Sequence, residues 1–327
     1  MSVISRLVDK VLFWGGFASG IYVAYRNMPA VLKRSVALLS NNPNAKQLLS
    51  DSGLTSRLAQ RFAAIDTVDK AVSQTQTLNS QGIGATLHLL RGSARFPHEA
   101  LEAKNAYLDL IGRITAQSLN ATLSIPPAQI GLTQSPQFVQ TNLTTILEAA
   151  QAGDVFVMLE TETSDTIQPT INLYLAMREA GYDQIGISLP INLRRTSYDL
   201  ETLTYHGAHV RLIVGGYGEQ TIAEHELVAK FDAFVQRMLS THAVLRGAKL
   251  TLHSSNNHIL QQAFDGLRSA NLPKETINIE LPYGERAELP PHLAKENYPV
   301  RVYLPIGTNT DAYIMRRIYT DPTLLLS

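Results

Sequence analysis

The spacing of hydrophobic positions changes once along this chain. Up to about Thr77, apolar residues recur at three and four in "MPAVLKRSVALL", "AKQLLSDSG" and "LTSRLAQRFAAI", the interval that lines one face of a helix. Beyond that point short β-prone runs appear: "GIGATLHLL" from Gly82, "NATLSI" from Asn120, "VFVMLE" from Val155, "QIGISLPI" from Gln184, "HVRLIV" from His209, "KLTLHS" from Lys249, "TINIEL" from Thr276 and "VRVYLP" from Val300, eight in all. Helix-period segments such as "PHEALEAKNAYLDLIGRI", "QPTINLYLAMREAGY" and "TIAEHELVAKFDAFVQRML" separate them. Strands joined by helix-length connections must run parallel, because a hairpin loop is far shorter. Several of the runs are nearly continuous in apolar residues, as expected of strands covered on both faces. Eight such units that close on themselves make an α/β fold of the (β/α)8, TIM-like barrel class, here preceded by an N-terminal helical segment. The alternative is an open doubly wound sheet, against which stands the absence of a Gly-rich dinucleotide fingerprint after the first strand. The expected division is residues 1–77 as a helical arm and 78–327 as the barrel.

On a barrel, chemistry gathers where strands end and the following loops begin. Those positions hold His88, Pro126, Glu160 with Glu162, Pro190 with Asn192, Val214 to Tyr217, His253 to Asn256, Pro282 with Tyr283, and Tyr303. Few of them are charged; several are tyrosine or histidine.

Composition narrows the function classes. The 327 residues carry 28 Lys+Arg against 28 Asp+Glu, so no long-range field favours nucleic acid. Without any cysteine, disulfides, thiolate metal sites and a cysteine nucleophile are all excluded. The nine histidines show no HExxH pattern, so no dedicated metal site is expected. One uncharged segment, "VLFWGGFASGIYVAY" at residues 11–25, is shorter than the ~20 residues a spanning helix needs. It reads either as a helix docked on the protein or as a helix lying at a membrane interface, so the expected location is cytoplasmic, with peripheral membrane contact as the alternative.

Four clusters could carry chemistry. Glu160 and Glu162, two apart at a strand end, point to one side and could divide acid and base roles; the plainer alternative is an ion pair with an arginine. His253 is the best single candidate for a ligand or a base; the plainer alternative is a structural histidine. Arg194 and Arg195 precede "SYDLET", where a surface ion pair with Asp199 or Glu201 is the simpler expectation. On the helix after the last strand, Tyr313 shares a side with Arg316 and Arg317 through three- and four-residue spacing. Two guanidiniums beside a phenol suit a carboxylate or a phosphate, and an ordinary surface helix carries such pairs too.

From about Leu54 to Thr320 the chain resembles the proline dehydrogenase family. The likeness is carried by "LTSRLAQRFAAIDTVDKAVSQTQTLNSQGIGATLHLL", by "QPTINLYLAMREAGYDQIGISLPINLRRTSYDL", by "PYGERAEL", and above all by "VRVYLPIG" followed by "YIMRRI". The resemblance implies an FAD-dependent barrel that oxidises L-proline or a related cyclic amino acid to the imine, with its last helix over the barrel mouth. Electrons would pass to a quinone or another acceptor. By position it implies that Arg316 and Arg317 hold the substrate carboxylate while Tyr313 and Tyr303 line the pocket. Arg211 would stand by the flavin, with Tyr217 and Asn256 as further cofactor contacts, and Glu160 would replace an aspartate of the third strand. Departures from the family pattern fall on Pro126, Pro190, Val214, Ser255 and Thr320, each where the family carries a polar or charged residue. They define the alternative expectation: a divergent barrel without FAD or redox activity that serves as a binding, scaffolding or membrane-associated protein.

Overall fold

The computed structural model describes residues 54–63, 65–161, 164–213, 224–311, 313–314 and 317. Two helices come first, α1 (Leu54–Phe62) and α2 (Val68–Asn79). The barrel follows in strict alternation: β1 (Gly84–Leu89), α3 (Pro97–Ala116), β2 (Ala121–Ile125), α4 (Pro136–Ala152), β3 (Phe156–Leu159), α5 (Ser164–Glu179) and β4 (Ile185–Pro190). It continues through α6 (Thr196–Tyr205), β5 (His209–Ile213), α7 (Glu224–Met238), α8 (Thr241–Leu245), β6 (Lys249–His253), α9 (Asn257–Ser269), β7 (Ile277–Pro282), α10 (Leu289–Lys295) and β8 (Val300–Ile306).

All neighbouring strands pair in parallel, and β8 pairs with β1, so the sheet closes in sequence order. The barrel unit runs Phe62–Asn309; the chain up to Arg61 and from Thr310 falls in a second unit. The helix α2 packs on β1 and β8, closing the outer ring at the seam where the sheet meets itself.

Each strand sends alternate residues to opposite faces. Outward go the aliphatics: Leu87, Leu123, Val157, Ile187, Leu212, Leu252, Ile279 and Leu304 are all fully buried in one core beneath the helices. Burying each such side chain stabilises the fold by about 1.5–3 kcal/mol. The opposite face is not the apolar filling that continuous hydrophobic runs suggest. It carries Thr86, His88, Thr122, Ser124, Ser188, Arg211, Thr251 and Glu280, also buried, so the lumen of this barrel is polar.

Helix starts are set locally. Ser135 caps α4 by accepting from the Phe138 amide, with Pro136 in the first turn, and Asn256 caps α9 by accepting from the amides of His258 and Ile259. At the start of β1, Gly84 lies opposite Arg301, and a Cβ there would stand 2.7 Å from the Arg301 guanidinium. The missing side chain is what lets Arg301 cross to the Ala85 carbonyl at 3.1 Å and to Asn120 Oδ1 at 2.8 Å.

Candidate active site

Strand register brings the polar residues together. His88 lies opposite Ser124, Ser188 opposite Arg211, His253 opposite Glu280 and Thr86 opposite Tyr303. The hub is Arg211, 1% exposed. Its Nε donates to Ser188 at 2.8 Å, Nη1 to Glu280 Oε2 at 3.0 Å, and Nη2 to Ser124 Oγ and Glu160 Oε1, both at 2.9 Å. One guanidinium thus bridges two carboxylates, and at most one of its five N–H groups is left for a ligand.

Glu160 Oε1 also accepts from Ser124 and from the Tyr303 hydroxyl, both at 2.6 Å, with His88 Nδ1 3.6 Å away. Glu280 accepts from Thr86 at 2.8 Å and faces His253 Nδ1 at 2.7 Å. Two carboxylate–imidazole pairs therefore flank the Tyr303 ring, His88 stacked on it at 5.4 Å between centroids and His253 edge-on at 5.1 Å. The Arg211 guanidinium carbon lies 5.5 Å from the same ring.

The electrostatics follow from this packing. Burial would raise the Glu160 carboxyl, but the charges of His88 and Arg211 and the hydrogen bonds from Ser124 and Tyr303 hold it well below the usual carboxylate range. Burial likewise opposes ionisation of Glu280, and Arg211 and His253 outweigh it, drawing that carboxyl down to about 2. The Arg211 pKa is pushed up despite burial, since Glu280 and Glu160 both favour the cation. At neutral pH both carboxyls are therefore ionised beside the guanidinium. Near the opposite, N-terminal ends of the strands, part-buried His209 is pushed down to about 3 by burial and by the nearby charges of Lys249 and Arg301. It shares a 2.8 Å hydrogen bond with Thr251.

Glu160, Arg211 and Tyr303, expected from the sequence, meet in one network, and the strand-end histidines His88 and His253 join them. The arginine partner weighed for Glu160 is Arg211. Asn256 is exposed, with its Oδ1 occupied in capping α9. Arg195 pairs with Asp199 through two hydrogen bonds of 2.6 and 2.9 Å, the ion pair expected there. In the second unit, Arg317 Nη1 donates to the Tyr313 hydroxyl at 2.9 Å, one turn apart as the spacing implied. Glu162, Val214, Tyr217, Arg316, Thr320 and the segment 11–25 lie outside the described residues.

Sequence reasoning missed Glu280, Ser124, Ser188 and Thr86. Glu280 was readable, since in "TINIEL" it follows Asn278 by two and so falls on the polar side of the alternation.

Comparison with known proteins agrees with this architecture. A family model described as "Proline dehydrogenase" matches residues 71–319. Proline dehydrogenase 1 of Bacillus subtilis (strain 168) is 27% identical over 292 residues, covering 89% of this chain and 96% of its own. The proline dehydrogenase of Deinococcus radiodurans is 25% identical over 294 residues, covering 89% and 94%. Among solved structures, proline utilization A (PutA) from Bdellovibrio bacteriovorus inactivated by N-propargylglycine superposes with a TM-score of 0.72 at 16% identity, over 83% of this chain. The chain spans only 33% of that larger protein, a likeness of fold. With the family model running from α2 past β8 and the two relatives aligned over nearly their whole lengths, this chain belongs to the proline dehydrogenase family of oxidoreductases.

Proposed function

We propose that this protein is a flavin-dependent dehydrogenase that oxidises L-proline or a related cyclic amino acid to the imine. The observation that carries the reading is the buried Glu160–Arg211–Glu280 network beneath Tyr303, in a chain of this family. FAD suits the residues present, because a fixed cation and a planar aromatic group flanked by imidazoles match a planar, electron-accepting ring. When bound, the flavin supplies the two-electron chemistry. Arg211 would favour negative charge on it, and Tyr217 and Asn256 would supply further contacts, Asn256 through the amide nitrogen that its capping role leaves over.

The rest is work for the chain's own groups. Arg316 and Arg317 would hold the substrate carboxylate by forked hydrogen bonds, and Tyr313 and Tyr303 would line the substrate ring. Glu160 fixes Tyr303 through its hydroxyl and holds Arg211 in place. Loss of hydride makes the substrate carbon–nitrogen unit cationic, and the carboxylates of Glu160 and Glu280 would offset part of that charge. Electrons leave to a quinone or another acceptor, for which membrane contact through residues 11–25 would serve.

A second reading has its own observation. Arg211 spends nearly all its donors within the protein, and Ser255 donates to Glu285, so these two positions are occupied by internal partners as they would be in a binding or scaffolding protein.

Replacing Arg316 and Arg317 by Met separates the two. On the enzymatic reading, affinity for proline falls by about 10- to 100-fold per arginine, since each charge-assisted hydrogen bond contributes about 1.5–3 kcal/mol. Unchanged affinity, or no proline binding by the unaltered protein, supports the second reading.

A further inference from the structure

No proton transfer has been assigned to His253 above, yet its pair with Glu280 is built like a catalytic dyad. Glu280 is held from three sides, accepting from Thr86 on β1 and from Arg211 on β5 and facing His253 on β6. A carboxylate only accepts, so the hydrogen between the two lies on His253 Nδ1, which leaves Nε2 as the ring atom that can take up or release a proton. That Nε2 makes no hydrogen bond among the described residues. The His253 side chain is 18% exposed, whereas those of His88, Glu160, Arg211 and Glu280 are 3, 7, 1 and 3% exposed. His88 has Ser124 and Glu160 around its Nδ1 and is enclosed behind Tyr303. Of the two imidazoles, His253 is therefore the one open to exchange with a ligand or water, and it lies at the C-terminal end of β6, the end where barrel chemistry occurs.

We propose that His253, oriented by Glu280, is the proton acceptor of the oxidation. The idea rests on the dehydrogenase reading and names a residue for a step that reading left unassigned. The substrate's ring ammonium gives one proton to Nε2, and the N–H bonding pair stays on nitrogen as a lone pair. That pair would become the second bond of C=N as a hydride left the adjacent carbon, a bound flavin supplying the two-electron oxidant. The product is the iminium carboxylate, and His253 passes its proton to solvent. The charged and titratable neighbours are Glu280 from β7, Tyr303 from β8, Arg211 from β5 through Glu280, and His88 with Glu160 on the far side of Tyr303.

The test uses the full chain loaded with FAD, with anaerobic flavin bleaching by L-proline followed against pH. H253Q should slow bleaching by about 10²- to 10⁴-fold, the usual weight of one positioned base. It should also remove the limb of the profile that requires a neutral base. Added imidazole should restore part of the rate in H253A, which keeps the idea testable if the Gln variant is unstable. Nitrogen NMR of the imidazoles gives a readout independent of turnover: the wild-type protein should show His253 with its hydrogen on Nδ1, and E280Q should shift that tautomer balance. A wild-type pH profile in H253Q, or a hydrogen on Nε2 in the free protein, overturns the assignment. If the wild-type protein itself is not bleached, it is the dehydrogenase reading that has failed, and the proton-accepting role falls with it.

Discussion

Replacing Arg211 by Met is the perturbation whose outcome the structure fixes most tightly. The change removes the hydrogen bonds to Ser124, Ser188, Glu160 and Glu280 and leaves two buried carboxylates without their shared cation. Breaking a buried ion pair from one side costs about 3–5 kcal/mol. In the folded protein both Glu280 and Glu160 are held below the usual carboxylate range against the cost of burial, with Arg211 the largest opposing cause for Glu280. The pH dependence has a definite sign. A carboxyl whose native pKa lies below its unfolded value adds stability that is present above the unfolded value and lost as pH falls toward the native one. The wild-type advantage over R211M should therefore be full at pH 8 and shrink at pH 5 and below, where the variant's carboxyls take up protons. Urea unfolding at both pH values measures this, and the thermal midpoint should fall by about 5–10 °C at pH 8. Neutralising both acids in R211M/E160Q/E280Q should recover much of the loss, because no unpaired charge remains. A loss below about 1 kcal/mol, or an equal loss at both pH values, would refute the description of the lumen as a charge-compensated centre.

Other outcomes follow from single positions. G84A places a Cβ 2.7 Å from the Arg301 guanidinium and should cost about 1–3 kcal/mol in urea unfolding, with R301M relieving part of that cost in the double variant. His209 holds its proton only below about pH 3, so between about 6.5 and 3 the unfolded chain binds a proton that the native one refuses, and stability falls as pH falls. H209N should flatten that slope by up to about 1.4 kcal/mol per pH unit in a pH series of unfolding curves.

The barrel was legible because its signal is local and repeated: a change from helical period to short β-prone runs, with helix-length connections that leave only parallel pairing. The strand ends also singled out Glu160, His88, His253 and Tyr303, whereas Arg211 came from the family resemblance. What could not be read was depth. In "QIGISLPI" the small Gly186 and Ser188 disguise a lumen-facing row as a continuous buried run, and in "VFVMLE" Met158 does the same. Glu280 escaped because it precedes the strand end by two residues, one layer below the positions where barrel chemistry is usually sought. That Arg211 joins two acids depends on closure of β5 against β4 and β6, which bring Ser188 and Thr251 to its sides, and on β3 and β7 beyond them. No spacing along the chain encodes that distance. The carboxylate-binding role proposed for Arg316 and Arg317 comes from the family resemblance, whereas the Arg317–Tyr313 contact was anticipated by local spacing alone.

The central claim, that this polar barrel is a flavin-dependent dehydrogenase of cyclic amino acids, is tested most directly by anaerobic titration of the purified, FAD-incubated protein with L-proline, followed by visible absorbance. The account predicts a bound-flavin spectrum that bleaches on addition of proline, with one imine formed per flavin reduced. Absence of flavin bands after incubation with excess FAD, or a bound flavin that neither proline nor a related cyclic amino acid reduces, would contradict it.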